Sequence, residues 1–285
     1  MQTHFLADLL PQITTDGRIR AAWLEGSLGR GTADRYSDVD IHLLLEEGTL
    51  ASFQDQARPW LEAVRPLVLF SLMFGGRMIN AMTDQGLRVD IWLHDDESAT
   101  IDPAGAHVLK ESPGALHRAA DAPPMDRAKQ AQQLDAQLRE FWRCIALTPS
   151  VIGRGEKLVS AMGVTVEVGL LTQLILTGYE IPRLSGVKKL NPFLPADVQQ
   201  ALEAALDTPF TQAGLVQTHL ALAAIAHTHG SILAERWEFD YPAALEATAL
   251  GYVVRELRLL DLAAVAPLLA AVDTYLQDGT AWPAS

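Results

Sequence analysis

The apolar positions in the N-terminal part of the chain switch between helical and strand-like spacing. Apolar residues recur at helical intervals between Phe5 and Leu10, which predicts a short helix that ends near Pro11. Helical spacing returns over residues 50–64. Short apolar runs predict strands over residues 19–24, 39–45, 67–74, 78–82 and 87–93. The last two runs flank residues 83–86, which are typical of a hairpin turn, so this part predicts a mixed sheet with an antiparallel hairpin.

The composition of the chain changes after the last of these strands. Residues 103–125 carry Pro, Gly, His and Asp and predict a linker or an irregular loop. From residue 126 onwards the spacing is helical almost throughout. We therefore predict an α+β protein, with a mixed-sheet domain over residues 1–102 and an all-α helical bundle over residues 126–285.

The charge balance limits the classes of partner. The chain has 35 acidic and 22 basic residues, for a formal net charge of −13. Because nucleic acid is a dense polyanion and the sequence has no Lys/Arg cluster, we expect no nucleic-acid partner. The acidity suits a cationic small molecule, although acidity alone also keeps a protein soluble. The single cysteine, Cys144, excludes an intramolecular disulfide and a cysteine-based zinc cluster.

The sequence shows no targeting or membrane signal. No basic segment followed by an uninterrupted apolar core stands near the N-terminus, so we expect no signal peptide. The apolar stretches around residues 220–226 and 262–272 are too short or too interrupted to span a membrane. These features predict a cytoplasmic protein with no membrane partner, and they leave the oligomeric state open.

The segment from Gly26 to Ile41 carries the most informative pattern. A Gly26-Ser27 pair follows the first predicted strand, and Asp38 and Asp40 stand at the head of the second. Because side chains alternate along a strand, the two carboxylates point the same way, with Cα atoms roughly 6.5–7 Å apart. Paired carboxylates suit a hard cation such as Mg²⁺. A Gly-Ser turn can direct backbone N–H groups and a hydroxyl towards phosphates, although it can equally be an ordinary turn before a helix.

This pattern resembles the nucleotidyltransferase superfamily, which includes DNA polymerase beta and the drug-modifying nucleotidyltransferases. The family pattern is Gly-Gly or Gly-Ser, about a dozen residues, and then Asp-apolar-Asp/Glu-apolar, which Gly26-Ser27 and 38–41 fit. Glu25 departs from it, because an apolar residue is more usual before the glycine. A mixed domain followed by a helical bundle is also similar to the nucleotidyltransferases that act on aminoglycosides or lincosamides.

The resemblance implies a reaction in which a substrate hydroxyl attacks the α-phosphate of a nucleoside triphosphate and pyrophosphate leaves. This displacement calls for a third carboxylate, because it uses a pair of metal ions. Asp90 is the best candidate, because it lies in a strand-like run with apolar neighbours, where a lone carboxylate needs a partner. In the family, the third acidic residue comes from a later strand and in several members serves as the base. The alternatives are an Asp90 that is solvated or paired with Arg88, and a turn residue, Asp84, in its place.

Further residues have both a functional and a structural interpretation. For Arg30, the functional interpretation is a contact with the triphosphate and the structural one is an ion pair with Asp34. For Ser37, the functional interpretation is that it orients a phosphate or a metal ligand, and the structural one is that it caps a turn. Glu156 and Lys157 follow two glycines in the helical part, where they serve the substrates or simply occupy the first turn of a helix. Glu140 and Glu167 are further acidic candidates, and both are expected on solvated helix faces.

These features together predict a Mg²⁺-dependent enzyme that transfers AMP from ATP, or a nucleoside monophosphate from another nucleoside triphosphate, to a hydroxyl group of a small polar acceptor. The predicted metal ligands are Asp38, Asp40 and Asp90, and the base is Asp90 or Glu156. The predicted nucleotide-binding residues are Gly26, Ser27, Arg30, Ser37 and Lys157. The resemblance implies an aminoglycoside or lincosamide acceptor. The alternatives are an antitoxin-type or regulatory protein that modifies or binds a protein partner, and a nucleotide-binding module without turnover.

Overall fold

The computed structural model describes residues 1–119, 125–182 and 188–279. The chain forms two compact units, Met1–Pro123 and Pro124–Ser285. The first unit is built on a mixed sheet and the second is helical, so the predicted α+β class is confirmed.

The first unit combines strands with helices at its start and in its middle. Its helices are α1 (Gln2–Thr15), α2 (Gly26–Gly29) and α3 (Leu50–Glu62). Its strands are β1 (Ile19–Leu24), β2 (Val39–Leu45), β3 (Leu67–Met73), β4 (Met78–Thr83), β5 (Arg88–His94), β6 (Ala99–Ile101), β7 (His107–Glu111) and β8 (Leu116–Arg118). Among the described residues, the main sheet has the strand order β3-β4-β5-β2-β1-β7, and β6 pairs with β8 in a small separate sheet.

The alternation of residues along β2 and β5 divides the main sheet into two different faces. Val39, Ile41 and Leu43 are fully buried and pack in one apolar cluster with residues of α1 and α3. The residues between them, Asp40 and His42, are half-buried and lie on the opposite face. β2 and β5 are parallel neighbours, and the other pairs in this sheet are antiparallel. The parallel pairing brings the polar faces of β2 and β5 together.

Two expectations for this unit were wrong. Residues 103–125 are not simply a linker, because β7 adds to the edge of the main sheet beside β1 and β8 pairs with β6. Residues 120–124 of that segment lie outside the described residues. The first helix does not end near Pro11 but continues to Thr15, because Leu9 and Ile13 are both fully buried in the core and hold the helix across the proline.

Helices make up most of the described part of the second unit. They are α4 (Arg127–Ile145), α5 (Thr148–Gly153), α6 (Lys157–Gly178), α7 (Ala196–Leu206), α8 (Gln212–Trp237), α9 (Ala243–Arg258) and α10 (Ala266–Asp278). Side chains cap the starts of two of them: the Asp126 carboxylate accepts from the Lys129 N–H, and the Thr211 hydroxyl accepts from the Gly214 N–H. These caps fix where α4 and α8 begin.

Helices α6 and α8 are apolar on nearly every side and supply much of the core of this unit. Leu171 and Ile175 of α6 pack in one cluster with Leu220 and Ala223 of α8. Among the described residues, α6 is the one helix that is long and apolar enough to cross a membrane by length and composition. It is neither of the apolar stretches considered from the sequence. Glu167 of α6 is buried rather than solvated, which corrects the expectation for that residue.

Candidate active site

The Gly26-Ser27 turn begins where β1 ends. The Glu25 N–H donates to the Asp40 carbonyl oxygen at 3.1 Å, which ties the end of β1 to β2. Gly26 has φ +62°, a conformation that side chains with a Cβ adopt at a cost. A Cβ on this residue would also overlap Asp40 Oδ2. The glycine therefore allows the backbone to lie directly against the Asp40 carboxylate, and Ser27 follows in α2.

Three carboxylates converge next to this turn. Asp40 and Asp90 are directly paired across the parallel strands β2 and β5, and Asp38 immediately precedes β2. One carboxylate oxygen from each of the three lies within 4.8 Å of the others, and all three side chains are half-buried. Three oxygen ligands at this spacing fit a hard divalent cation, which prefers carboxylate oxygen. The cluster is the arrangement predicted for Asp38, Asp40 and Asp90.

Asn80 supports the carboxylate cluster and was not identified from the sequence. It lies on β4 directly opposite Asp90, and its Nδ2 donates to Asp90 Oδ1 at 2.6 Å. This hydrogen bond fixes one oxygen of Asp90 and so restricts the orientation of its carboxylate beside the cluster. The predicted hairpin brings residue 80 close to residue 90, and the observed register, which pairs Met82 with Arg88, sets Asn80 directly opposite Asp90.

Aromatic and imidazole rings continue the polar face beyond the carboxylates. The Trp23 Nε1–H donates to Glu25 Oε1 at 2.9 Å, and His42 Nδ1 and His94 Nε2 are 2.9 Å apart. Burial lowers the pKa of His42 to about 4, with His94 lowering it further and Glu25 opposing the change. Burial also lowers the pKa of His94. Both rings are therefore neutral at neutral pH and place no positive charge on the face that carries the carboxylates.

Hydrogen bonds within the loop between α2 and β2 stabilise its conformation. The Ser37 hydroxyl accepts from the Asp34 N–H at 2.9 Å and donates to Asp34 Oδ1 at 3.2 Å. Gln2 Nε2 donates to the Ser37 carbonyl oxygen at 2.6 Å, which anchors the loop to α1. Ser37 therefore acts in the turn, and its proposed contact with a ligand stays a prediction. Arg30 is half-buried at the end of α2, and its contact with a triphosphate also stays a prediction.

Glu156 and Lys157 belong to the second unit. Glu156 precedes α6 and is exposed, without capping the helix through its side chain. Lys157 is the first residue of α6, and its Nζ lies 5.5 Å from the centre of the Phe210 ring, within the range of a cation–π contact. Both positions are solvent-accessible. Neither residue is part of the carboxylate cluster, and their roles stay predictions.

Comparison with known proteins identifies the first unit. Residues 8–101 match the family model described as the nucleotidyltransferase domain. Residues 8–101 therefore resemble a nucleotidyltransferase domain, and the resemblance predicted from residues 26–41 is confirmed.

Comparison of the whole chain adds less. The chain is similar to the crystal structure of an aminoglycoside 6-adenyltransferase from Bacillus subtilis. The two are 14% identical, the TM-score is 0.41, and the match covers 88% of this chain and 97% of that chain. Among curated protein sequences, none matches this chain.

Proposed function

We propose that this protein is a Mg²⁺-dependent nucleotidyltransferase that transfers AMP from ATP to a hydroxyl group of a small polar acceptor. The observation that carries the proposal is the convergence of Asp38, Asp40 and Asp90 within 4.8 Å, next to the Gly26-Ser27 turn. A structural role alone gives no reason to gather three carboxylates, because like charges at this distance repel one another.

The residues of the proposed site bind the metal ion, bind the phosphates or accept the proton. Asp38, Asp40 and Asp90 hold Mg²⁺, which when bound neutralises the negative charge of the triphosphate and of the leaving pyrophosphate. Gly26 lets the backbone approach the phosphates, and Ser27 supplies a hydroxyl to a phosphate oxygen. Arg30 and Lys157 are the proposed cationic contacts to the triphosphate.

Asp90 is the proposed general base, with Glu156 as the alternative. The acceptor oxygen attacks the α-phosphorus, the bond from that phosphorus to the α,β-bridging oxygen breaks, and pyrophosphate leaves. The hydroxyl proton passes to the carboxylate of Asp90. The hydrogen bond from Asn80 supports this choice, because it holds the Asp90 carboxylate in one orientation.

The acceptor is proposed to be cationic, with an aminoglycoside as the first class and a lincosamide as the second. The formal net charge of −13 supports a cationic ligand and opposes a nucleic-acid partner. We further propose that the enzyme acts in the cytoplasm.

The first test measures binding of the donor without requiring the acceptor. The melting temperature is measured with Mg²⁺ plus each nucleoside triphosphate, for the wild type and for the double variant Asp38→Asn/Asp40→Asn. A ligand at about one hundred times its Kd stabilises a protein by about 2.7 kcal/mol, which a melting experiment detects. Asp84→Asn is the matched control, because Asp84 is an exposed aspartate in the hairpin turn, outside the cluster.

The expected result is a magnesium-dependent shift that is largest with ATP, retained in Asp84→Asn and lost in the double variant. Incubation with ATP and a panel of aminoglycosides and lincosamides then reveals the acceptor by a mass increase of one AMP. Absence of a shift with every nucleoside triphosphate contradicts the proposed donor site. A shift without transfer to any acceptor of the panel favours a regulatory or protein-directed role.

A further inference from the structure

A second polar cluster lies in the helical unit, and the proposed nucleotidyl transfer does not use it. It joins Ser160 and Glu167 of α6 to His219 of α8. Ser160 Oγ is 2.9 Å from His219 Nε2, and His219 Nδ1 is 2.9 Å and 2.8 Å from the two carboxylate oxygens of Glu167. The three residues are almost completely buried, with 2%, 1% and 3% of their surfaces exposed for Ser160, Glu167 and His219.

The order of the three groups sets the direction of the hydrogen bonds. Burial raises the pKa of Glu167, and the hydrogen bond with His219 partly offsets this effect. When Glu167 is ionised it can only accept, and the proton of the imidazole then resides on Nδ1. His219 Nε2 then accepts the hydroxyl proton of Ser160. A hydroxyl bonded to a histidine that a carboxylate orients is the arrangement that activates a nucleophilic serine, on whatever fold it occurs.

The cluster borders a cavity of about 290 Å³. Ser160 and His219 both line this cavity, and most of its wall is apolar, formed by Leu147, Val151, Val159, Met162 and Val166. The cavity therefore places a space with a mostly apolar wall directly beside Ser160.

Two further features of the cavity wall point to a reactive site. Thr148 also lines it, and Thr148 Oγ1 is among the buried side-chain oxygens that lack a hydrogen-bond partner within the described part of the chain. An unsatisfied buried hydroxyl is costly, and a ligand oxygen in the cavity would satisfy it. Ser160 is in the first turn of α6, where the helix dipole favours negative charge. Cys144 lines the cavity too, but burial raises the pKa of its thiol and keeps it protonated.

We propose that this cavity is a second catalytic site, at which Ser160 cleaves small esters that carry an apolar acyl group. The apolar wall holds the acyl chain, His219 acts as the general base, and Glu167 positions His219. The Thr148 hydroxyl is the donor to the carbonyl oxygen of the ester. This activity is independent of the carboxylate cluster in the first unit.

The chemistry balances with the ester and water alone. Ser160 Oγ attacks the carbonyl carbon and its proton passes to His219 Nε2. The bond from that carbon to the alcohol oxygen then breaks, and the alcohol leaves with the proton from His219. Water attacks the acyl-serine, its proton passes to His219 and then to Ser160 Oγ, and the carboxylic acid is released. No oxidant or reductant is needed.

The test uses a fluorophosphonate probe on the full-length protein. Ser160 Oγ should displace fluoride and form a phosphonylated serine, which peptide mass spectrometry assigns to residue 160. Ser160→Ala should abolish labelling, and His219→Gln should slow it by at least about a hundredfold, the range for loss of a general base. Ser231→Ala is the matched control: Ser231 is an exposed serine of α8 whose hydroxyl donates only to its own helix, at the His227 carbonyl oxygen.

Further variants separate catalysis from packing. Glu167→Gln should slow labelling strongly, because the new amide can donate to His219 Nδ1. The imidazole proton would then reside on Nε2, which could no longer accept from Ser160. Glu167→Asp should recover part of the rate, which a purely structural role does not predict. Labelling should persist in Asp40→Asn, because Asp40 belongs to the carboxylate cluster of the first unit. The rates at which the variants hydrolyse p-nitrophenyl butyrate should parallel their labelling rates. A folded wild type that the probe does not modify, or a His219→Gln variant modified at the wild-type rate, overturns the proposal.

Discussion

The substitution Gly26→Ala tests whether the close approach of backbone and carboxylate builds the site. Gly26 has φ +62°, so alanine there carries a backbone cost of roughly 1–2 kcal/mol. The added Cβ would overlap Asp40 Oδ2 and lie 3.1 Å from Asp40 Cγ. Because the backbone of residue 26 is tied to β2 through the hydrogen bond of Glu25, the Asp40 side chain is the part that must move. Its movement takes one oxygen out of the three-carboxylate cluster.

Gly31 provides a control with the same backbone cost and no overlap. Its φ is +69°, and a Cβ at this position would meet nothing within 4 Å. Both alanine variants should therefore lose about 1–2 kcal/mol of folding free energy. Only Gly26→Ala should also lose metal affinity. Disturbing groups that merely orient a metal ligand costs about 10–100-fold, so displacing a ligand itself should cost at least about 100-fold.

The assay is a titration with Mn²⁺ followed by electron paramagnetic resonance, together with melting curves. Mn²⁺ replaces Mg²⁺ as a probe because it also prefers carboxylate oxygen. We expect nearly equal melting temperatures for the two variants and weak Mn²⁺ binding in Gly26→Ala alone. If Gly26→Ala binds Mn²⁺ as tightly as Gly31→Ala does, the glycine is not what allows the cluster to form, and the reasoning is refuted.

The remaining predictions concern the support of the site and the stability of the helical unit. Asn80→Ala should weaken Mn²⁺ binding by about 10–100-fold in the same titration, because Asp90 loses the donor that orients it. Burial lowers the pKa of His229 below its unfolded value, so the unfolded chain binds more protons. Stability should therefore fall as the pH drops below about 6.5, and the melting temperature of His229→Gln should fall less than that of the wild type between pH 7.5 and 5.5. Leu171→Ala, at a fully buried position of α6, should cost about 2–5 kcal/mol in urea denaturation, whereas Leu158→Ala, at an exposed position of the same helix, should change stability by less than about 0.5 kcal/mol.

The carboxylate cluster could be predicted because its residues follow local rules. Alternation along a strand puts Asp38 and Asp40 on one side, and the strong apolar pattern around Asp90 marks a second strand. The family resemblance then pairs these strands. What the local pattern does not contain is the strand order, in which β5 lies directly beside β2 although β3 and β4 intervene in the chain. Strand order depends on which apolar faces pack together, and the pattern of one strand does not encode it.

The serine, histidine and glutamate of the helical unit could not be found in the same way. Ser160 and His219 are 59 residues apart and meet only through the packing of α6 on α8. Both helices are apolar on nearly all sides, so their sequences do not indicate which direction faces inwards. The sequence predicts a solvated face for Glu167 as an acidic residue on a helix, whereas Glu167 is buried. The strand β7 was missed on similar grounds, because a short edge strand in a Pro- and Gly-rich segment has a weak local pattern.

The same alternation that builds the core of the first unit also builds its site. Along β2, Val39, Ile41 and Leu43 are fully buried, whereas Asp40 and His42, one residue out of phase, remain half-buried. A shift of one residue in the pairing of β2 would turn every apolar side chain outwards and bury the carboxylate of Asp40, so burial of the apolar set strongly specifies the register. Because that register also sets Asp40 opposite Asp90, the free energy that folds the sheet positions the carboxylates as well.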